Sequence, residues 1–217
     1  MSLQFFGHPF SSYTQKVLIA LWADETPFEY RMIGPDHPDN LNELKRHSPF
    51  GQFPLLIDEG TAVFESTPII EHLQAHHPGP TKWIPEGETG RRVRFLDRFF
   101  DLHVMYNMQS VVADALRPEG SRDPYGVARA RERLNTAYDW LETQFDGEWA
   151  AGTMFTLADC AAAPSLFYAD WVERIGPARP KLAAYRARLL AHRVVARAVD
   201  EGRPYRAFFP LGAPDRD

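Results

Sequence analysis

The chain has 217 residues, 44% of them hydrophobic, a formal net charge of −5 and a single cysteine, Cys160. The length suggests one or two domains with a substantial core, and the acidic balance without a basic run argues against nucleic-acid binding. One cysteine excludes an internal disulfide or a cysteine-rich metal site. No stretch offers the roughly 20 apolar residues that span a bilayer, and no signal peptide is apparent. We therefore expect a cytoplasmic protein without membrane association.

The first third of the chain is predicted to alternate strands with helices. Apolar runs and period-two alternation predict strands at residues 3–6, 27–33, 55–57 and 62–64. Helical spacing predicts a helix within residues 10–21, with Ser11 and Ser12 just before it, and further helices at residues 41–46 and from Ser66 or Thr67 to about His77. The resulting order is β-α-β-α-β-β-α, with a parallel first pair of strands and an antiparallel final hairpin.

A segment rich in proline and glycine, residues 78–87, precedes a helical remainder. We therefore place one domain at residues 1–80 and an all-helical domain at residues 88–217. Helical periodicity predicts helices at residues 90–116, 124–145, 179–191 and 194–199. Thr156 and Asp159 have the spacing of a capping box, which opens another helix, and Cys160 is expected to be a buried small hydrophobe.

Two short motifs indicate where a ligand would bind. The stretch Gly51-Gln52-Phe53-Pro54 predicts a turn into a buried strand, and a cis bond before Pro54 would turn the backbone of Phe53 outward. The stretch Glu65-Ser66-Thr67-Pro68 predicts a helix start with Ser66 or Thr67 as N-cap. A helix N-terminus can hold a carboxylate and Glu65 can hold an ammonium, so a ligand with a peptide-like middle and an amino-acid end suits both motifs.

The two motifs at this separation resemble those of the cytosolic glutathione transferase superfamily, and the resemblance extends over essentially the whole chain. It implies an α/β thioredoxin-like N-terminal domain followed by an all-α C-terminal domain. It also implies glutathione as co-substrate, with a glutathione site formed by Gln52, Phe53, Pro54, Glu65 and Ser66.

Ser11, followed by Lys16 and Val17, resembles the serine of the theta-like and zeta-like, serine-type classes, whose hydroxyl activates the glutathione thiol. Spacing alone is equally consistent with Ser11 and Ser12 merely capping the first helix. Tyr13 is the rival for thiol activation, because a phenol serves that purpose in other classes. Serine rather than cysteine at position 11 favours conjugation over thiol–disulfide exchange, since serine forms no mixed disulfide.

The resemblance further implies a homodimeric detoxification enzyme that joins glutathione to a small hydrophobic electrophile. The electrophile site is expected between the domains, although aromatic residues at helical spacing are more often plain core. Its candidates are Phe10, Tyr13, Met105 and Tyr106, with Trp171 and Phe209 as further possibilities. Lys45 or His47 is an alternative to Gln52 for the glycyl carboxylate.

Two other functions fit the same resemblance. One is a glutathione-dependent isomerase or dehalogenase, for which the Ser11-Ser12 pair is a weak indication because Tyr13 stands where cysteine usually follows. The other is a non-catalytic binding or scaffolding module, which would have no need of Ser11 or of the Glu65-Ser66 pair. We expect no metal site from the spacing of the eight histidines, since the adjacent His76 and His77 should point to different sides of a helix.

Overall fold

A four-stranded mixed sheet organises the N-terminal part of the computed structural model, which describes residues 3–217. Its strands are β1 (Leu3–Gly7), β2 (Phe28–Met32), β3 (Leu55–Asp58) and β4 (Thr61–Phe64), in the spatial order β2-β1-β3-β4. β1 pairs in parallel with β2 and antiparallel with β3, which pairs antiparallel with β4. The helices of this part are α1 (Ser12–Ala23), α2 (Pro38–His47) and α3 (Ser66–His76). The predicted thioredoxin-like order is confirmed.

The remainder of the chain is helical, as predicted. Its α-helices are α4 (Gly87–Phe99), α5 (Tyr106–Ala115), α6 (Pro124–Glu142), α7 (Leu157–Val172), α8 (Pro180–Ala191) and α9 (Arg193–Gly202). Short 3-10 turns at Glu119–Ser121 and Arg203–Phe208 complete it. No helix within residues 3–217 is both long and apolar enough to cross a membrane.

The helix predicted at residues 90–116 is not a single α-helix. A π-helical segment, Phe100–Met105, separates α4 from α5. Its wider turn inserts an extra residue and shifts the helical phase, so that Phe100, Val104 and Met105 all face the core. The hydrophobic pattern continues across the segment, and the sequence therefore predicts the helical stretch but not its change of pitch.

The capping box of α7 anchors the helical domain. Asp159 is fully buried and accepts hydrogen bonds from the backbone N–H groups of Thr156 (2.9 Å) and Ala150 (2.8 Å) and from the Tyr185 hydroxyl (2.7 Å). This structural role is the predicted one, because a buried helix start needs partners for its backbone donors. Cys160 is unpaired and completely buried, also as predicted.

Candidate functional site

A cleft of about 460 Å³ opens between the sheet domain and α5. Its lining combines both sequence motifs with the start of α1: Ser11, Tyr13, Ser48, Phe50, Gly51, Gln52, Phe53, Pro54, Phe64, Glu65, Ser66 and Gln109. The residues expected from the resemblance to hold glutathione therefore lie around one space, together with Ser11.

The loop before β3 forms one wall of the cleft. The Phe53–Pro54 peptide bond is cis, the condition under which the Phe53 backbone was expected to turn outward. The strand ladder begins one residue later, with Leu55 opposite Phe6 on one side and Phe64 on the other. The Phe53 backbone thus lies outside the sheet and at the cleft. The backbone N–H of Gln52 donates to Ser48 Oγ (3.2 Å), which fixes the loop that carries the Gln52 side chain.

The start of α3 forms the opposite wall. Glu65 is the N-cap with a φ of +72°, so the expectation of Ser66 or Thr67 as N-cap is wrong. The connection from β4 is a single residue long, and Glu65 must take a left-handed conformation to turn the chain. The Glu65 carbonyl accepts from the N–H of Ile69 (3.0 Å), and Pro68 lies in the first turn as predicted.

This geometry creates a site for a zwitterion. The first N–H groups of an α-helix have no partner within the helix, and at α3 they belong to Ser66 and Thr67 beside the cleft. They carry the positive end of the helix dipole, which attracts a carboxylate. The exposed carboxylate of Glu65 stands next to them. A left-handed non-glycine residue costs about 1–3 kcal/mol, and such strain concentrates at functional sites.

Ser11 is the N-cap of α1. Its Oγ accepts a hydrogen bond from the backbone N–H of Thr14 (3.3 Å), so the capping role considered from the sequence is real. A hydroxyl that accepts such a bond still has its own proton to donate. Ser11 is half-buried at the cleft, whereas Ser12 is buried and is not part of the lining. Capping and donation to a ligand are therefore compatible at Ser11.

Tyr13 stands among acidic groups. Its pKa is raised by burial and by the charges of Asp101, Glu65 and Asp97. The phenol therefore stays protonated and is a weaker acid than an ordinary tyrosine. The same negative field disfavours a thiolate close to the Tyr13 hydroxyl.

A buried ion cluster lies behind this wall and links the two domains. Lys16 of α1 is 1% exposed; its Nζ lies 2.6 Å from Asp97 Oδ1 and 2.9 Å from Asp101 Oδ2. It also donates to Thr67 Oγ1 (2.9 Å), and Thr67 in turn donates to Asp97 (2.8 Å). Burial lowers the pKa of Lys16, but the two carboxylates outweigh burial and raise it. Lys16 is thus a charged structural residue, and it fixes the start of α3.

Most of the other electrophile-site candidates lie elsewhere. Met105 is in the core at 1% exposure, because the π-helical turn rotates it inward. Tyr106 is exposed and borders a second cleft, against Phe99 and Trp140. Phe10 packs edge-on against Tyr168 and lies near Trp171. Trp171 in turn contacts the buried Phe209. None of these four residues lines the first cleft.

The charged alternatives for the glycyl carboxylate also lie outside the lining. His47 contacts Glu43 (3.1 Å) on α2, and Lys45 is exposed on the same helix. Gln52 lines the cleft, whereas Lys45 and His47 do not.

Four lining residues were not anticipated at the cleft: Ser48, Phe50, Phe64 and Gln109. The sequence around Phe50 indicates exposure, since a large aromatic side chain between Pro49 and Gly51 of a loop has no strand or helix to bury it, and Phe50 is 75% exposed. No sequence pattern indicates Gln109, because its place at the cleft depends on how α5 packs against the sheet domain.

The expectation that the histidines show no metal-ligand spacing is wrong, because His72 and His76 stand four residues apart. The structure gathers His72 and His77 around Asp58, away from the cleft.

Comparisons with known proteins agree with this architecture. Residues 5–81 match the model of the glutathione S-transferase N-terminal domain, and residues 124–188 match that of the C-terminal domain. A glutathione S-transferase from Methylobacterium radiotolerans, crystallised with glutathione sulfonate, is 27% identical with a TM-score of 0.77, covering 92% of this chain and 95% of that chain. Poplar glutathione transferase F1, 17% identical with a TM-score of 0.79 over 94% and 99% of the two chains, shares the fold.

Sequence relatives include proteins of more than one activity. Glutathione S-transferase hmp2 of Hypomyces subiculosus is 32% identical over 87 residues, and the match spans only 40% of each chain. A probable maleylacetoacetate isomerase of Caenorhabditis elegans is 25% identical over 163 residues, 74% of this chain and 75% of that protein.

Proposed function

Because the chain belongs to the glutathione S-transferase family, we propose that it is a glutathione transferase that activates the thiol of glutathione for attack on a small hydrophobic electrophile. The observation that carries the proposal is the single cleft that brings together Ser11, the loop at Phe53–Pro54 and the Glu65–Ser66 helix start. These three parts suit the thiol, the peptide middle and the γ-glutamyl end of one tripeptide.

The γ-glutamyl end is assigned to α3. Its carboxylate would accept hydrogen bonds from the Ser66 hydroxyl and from the backbone N–H groups at the helix start, while its ammonium pairs with Glu65. The buried Lys16–Asp97–Thr67 contacts hold this helix start in place from behind. The site is therefore preorganised by the domain interface.

The peptide middle is assigned to the loop before β3. The Phe53 backbone lies outside the strand ladder, and its N–H and C=O groups suit the peptide groups of an extended ligand. The glycyl carboxylate is assigned to Gln52, whose neutral amide binds a carboxylate less strongly than a lysine would.

The thiol is assigned to Ser11. A hydrogen bond to the charged form of a thiol lowers its pKa and increases the thiolate fraction at neutral pH. Ser11 is at the start of α1, where the helix dipole acts in the same direction. Tyr13 is less suited, because the acidic groups around it raise its own pKa and oppose a nearby thiolate.

The reaction follows from these assignments. The glutathione thiol proton passes to solvent, and the thiolate forms a carbon–sulfur bond with the electrophile. Either a leaving group departs with the electron pair of its bond, or the thiolate adds to a double bond whose other carbon takes a proton from solvent. Tyr13 and the exposed Phe50 border the open side of the cleft and would contact an apolar electrophile. The resemblance implies a homodimer and a cytoplasmic location, and we retain both as part of the proposal.

A conjugation assay tests the proposal. The protein is incubated with glutathione and a panel of small electrophiles, and thioether products are detected by mass spectrometry. We expect thioether formation above the uncatalysed rate. An isomerase would instead alter its substrate with glutathione recovered unchanged, and a non-catalytic module would give neither product. Either outcome would overturn the proposed activity.

A further inference from the structure

Three metal-ligating side chains meet where the β3–β4 hairpin approaches the end of α3. Asp58 is the last residue of β3, His72 lies on α3, and His77 directly follows that helix. The Nε2 atoms of both histidines lie 2.8 Å from the same carboxylate oxygen, Asp58 Oδ2. The ligand atoms of all three residues lie within 4.8 Å of one another. We name these residues the Asp58–His72–His77 cluster.

The donor set matches a zinc site. Two imidazole nitrogens and one carboxylate oxygen are the protein ligands of three-ligand zinc centres, in which water takes the fourth position. With zinc–ligand distances of 2.0–2.2 Å, tetrahedral ligand atoms stand about 3.3 Å apart. The two separations of 2.8 Å from Asp58 Oδ2 therefore need to widen by about 0.5 Å, and the ligand atoms of the two histidines, which lie within 4.8 Å of each other, need to reach the same spacing. Side-chain rotations at a surface supply such a change.

The cluster is open to the ion. The side chains of Asp58, His72 and His77 are 13%, 16% and 33% exposed. They are thus held by packing but remain accessible from solvent. Neither histidine lines the candidate cleft, whose lining includes Ser66 at the other end of α3, roughly 9 Å from His72 and 16 Å from His77 along the helix.

We propose that the Asp58–His72–His77 cluster is a Zn²⁺ site that fastens the β3–β4 hairpin to the end of α3. The Nε2 atoms of His72 and His77 and the carboxylate of Asp58 are the protein ligands. Each imidazole then carries its remaining proton on Nδ1, and the ion replaces the two hydrogen bonds to Asp58. None of the three residues lines the candidate cleft, so the role proposed for the ion is to join the hairpin to the helix end.

His76 provides a matched control. It belongs to the same helix end, and its ring centroid lies 4.4 Å from that of His72. It is exposed and is not among the residues whose ligand atoms converge. Zinc binding by His72 and His77 does not need His76. Zinc binding at the surface by His72 and His76, which stand four residues apart, does need it.

Zinc titration of the untagged protein tests the proposal. After dialysis against a chelator, calorimetry with ZnCl₂ should show one saturable equivalent, and Co²⁺ should give the absorption bands of a four-coordinate ion. His72→Ala, His77→Ala and Asp58→Asn should each weaken zinc binding by about tenfold or more, because each removes one of three protein ligands. His76→Ala should retain the affinity within about threefold.

Circular dichroism and glutathione affinity show whether each variant is folded. His77 lies beyond the helix, and Asp58→Asn conserves the size of the side chain. His77→Ala and Asp58→Asn therefore test the zinc site even if His72→Ala unfolds. No saturable zinc binding by the wild type would overturn the proposal and leave a hydrogen-bonded cluster. Loss of binding in His76→Ala with retention in His77→Ala would also overturn it.

Discussion

Lys16 Nζ lies 2.6 Å from Asp97 Oδ1, and both side chains are almost completely buried. This pair joins α1 of the sheet domain to α4 of the helical domain, and Asp101 and Thr67 complete its contacts. Replacing Lys16 by methionine keeps the volume but leaves buried carboxylates without a counter-charge. We expect Lys16→Met to lose about 3–5 kcal/mol of unfolding free energy at neutral pH, measured by urea denaturation.

The pH dependence separates this electrostatic cause from a packing defect. Burial already raises the pKa of Asp101, and removing Lys16 removes the largest influence that opposes that rise. A carboxyl whose folded pKa is raised contributes stability below its unfolded pKa and loses it as pH rises through the folded pKa. The deficit of Lys16→Met should therefore be smaller at about pH 5 than at about pH 7. Lys45→Met, at an exposed lysine, should change stability by no more than about 0.5 kcal/mol at either pH.

Two aspartates that cap helices should differ in their contribution to stability. Asp159 is buried and satisfies two backbone donors and the Tyr185 hydroxyl, so Asp159→Ala should cost about 3–5 kcal/mol. Asp123 caps α6 at the surface with one bond to Gly126 N–H (2.8 Å), so Asp123→Ala should cost about 1 kcal/mol. Similar losses for both variants in chemical denaturation would contradict the anchoring role of Asp159.

The sequence predicted those features of the fold and site that are determined by residues close together in the chain. The loop at Phe53–Pro54 and the pair Glu65–Ser66 were located from turn and strand signals within a few residues, and the capping box at Thr156 from a spacing of three. The N-cap was placed one or two residues too late, at Ser66 or Thr67, because a one-residue connection from β4 makes Glu65 the N-cap with a positive φ.

The sequence did not predict those features of the site that depend on how helices and strands pack together. Gln109 reaches the cleft only through the docking of α5, and two of the three acidic groups around Tyr13, Asp97 and Asp101, come from the helical domain. Met105 lies in the core and not at the cleft, because a π-helical turn shifts the phase of a continuous apolar pattern. The convergence of His72 and His77 required the position of Asp58 on a neighbouring strand.

The proposed homodimer predicts that exposed aromatic residues on the hairpin and on α4 lie in an interface. Phe64 is 40% and Phe95 is 47% exposed in the single chain. Light scattering at micromolar concentration should give twice the chain mass for the wild type, and Phe95→Glu should shift it toward the monomer. Phe208→Glu, at an exposed aromatic far along the chain, should leave the mass unchanged. A monomer mass for the wild type would remove the dimer from the proposal.

The γ-glutamyl site predicts loss of glutathione affinity in two variants. Glu65→Gln removes the partner of the ammonium, and Ser66→Ala removes a donor to the carboxylate. Each charge-assisted contact should cost about 1.5–3 kcal/mol, or roughly tenfold to a hundredfold in the dissociation constant from titration calorimetry. Glu59→Gln is the control, because Glu59 also has a positive φ and is exposed, but lies in the hairpin turn outside the cleft. Unchanged affinity in both test variants would remove glutathione from this position.

The most direct test of the account is the pKa of the glutathione thiol in the complex, measured from thiolate absorbance against pH. If Ser11 donates to the thiolate, Ser11→Ala should raise that pKa by about one to two units, because a hydrogen bond to a charged group contributes about 1.5–3 kcal/mol. Glutathione affinity should change little, and Ser12→Ala should leave the thiol pKa near the wild-type value. If Tyr13→Phe raises the thiol pKa and Ser11→Ala does not, the thiol is activated by the phenol and the assignment of Ser11 is wrong.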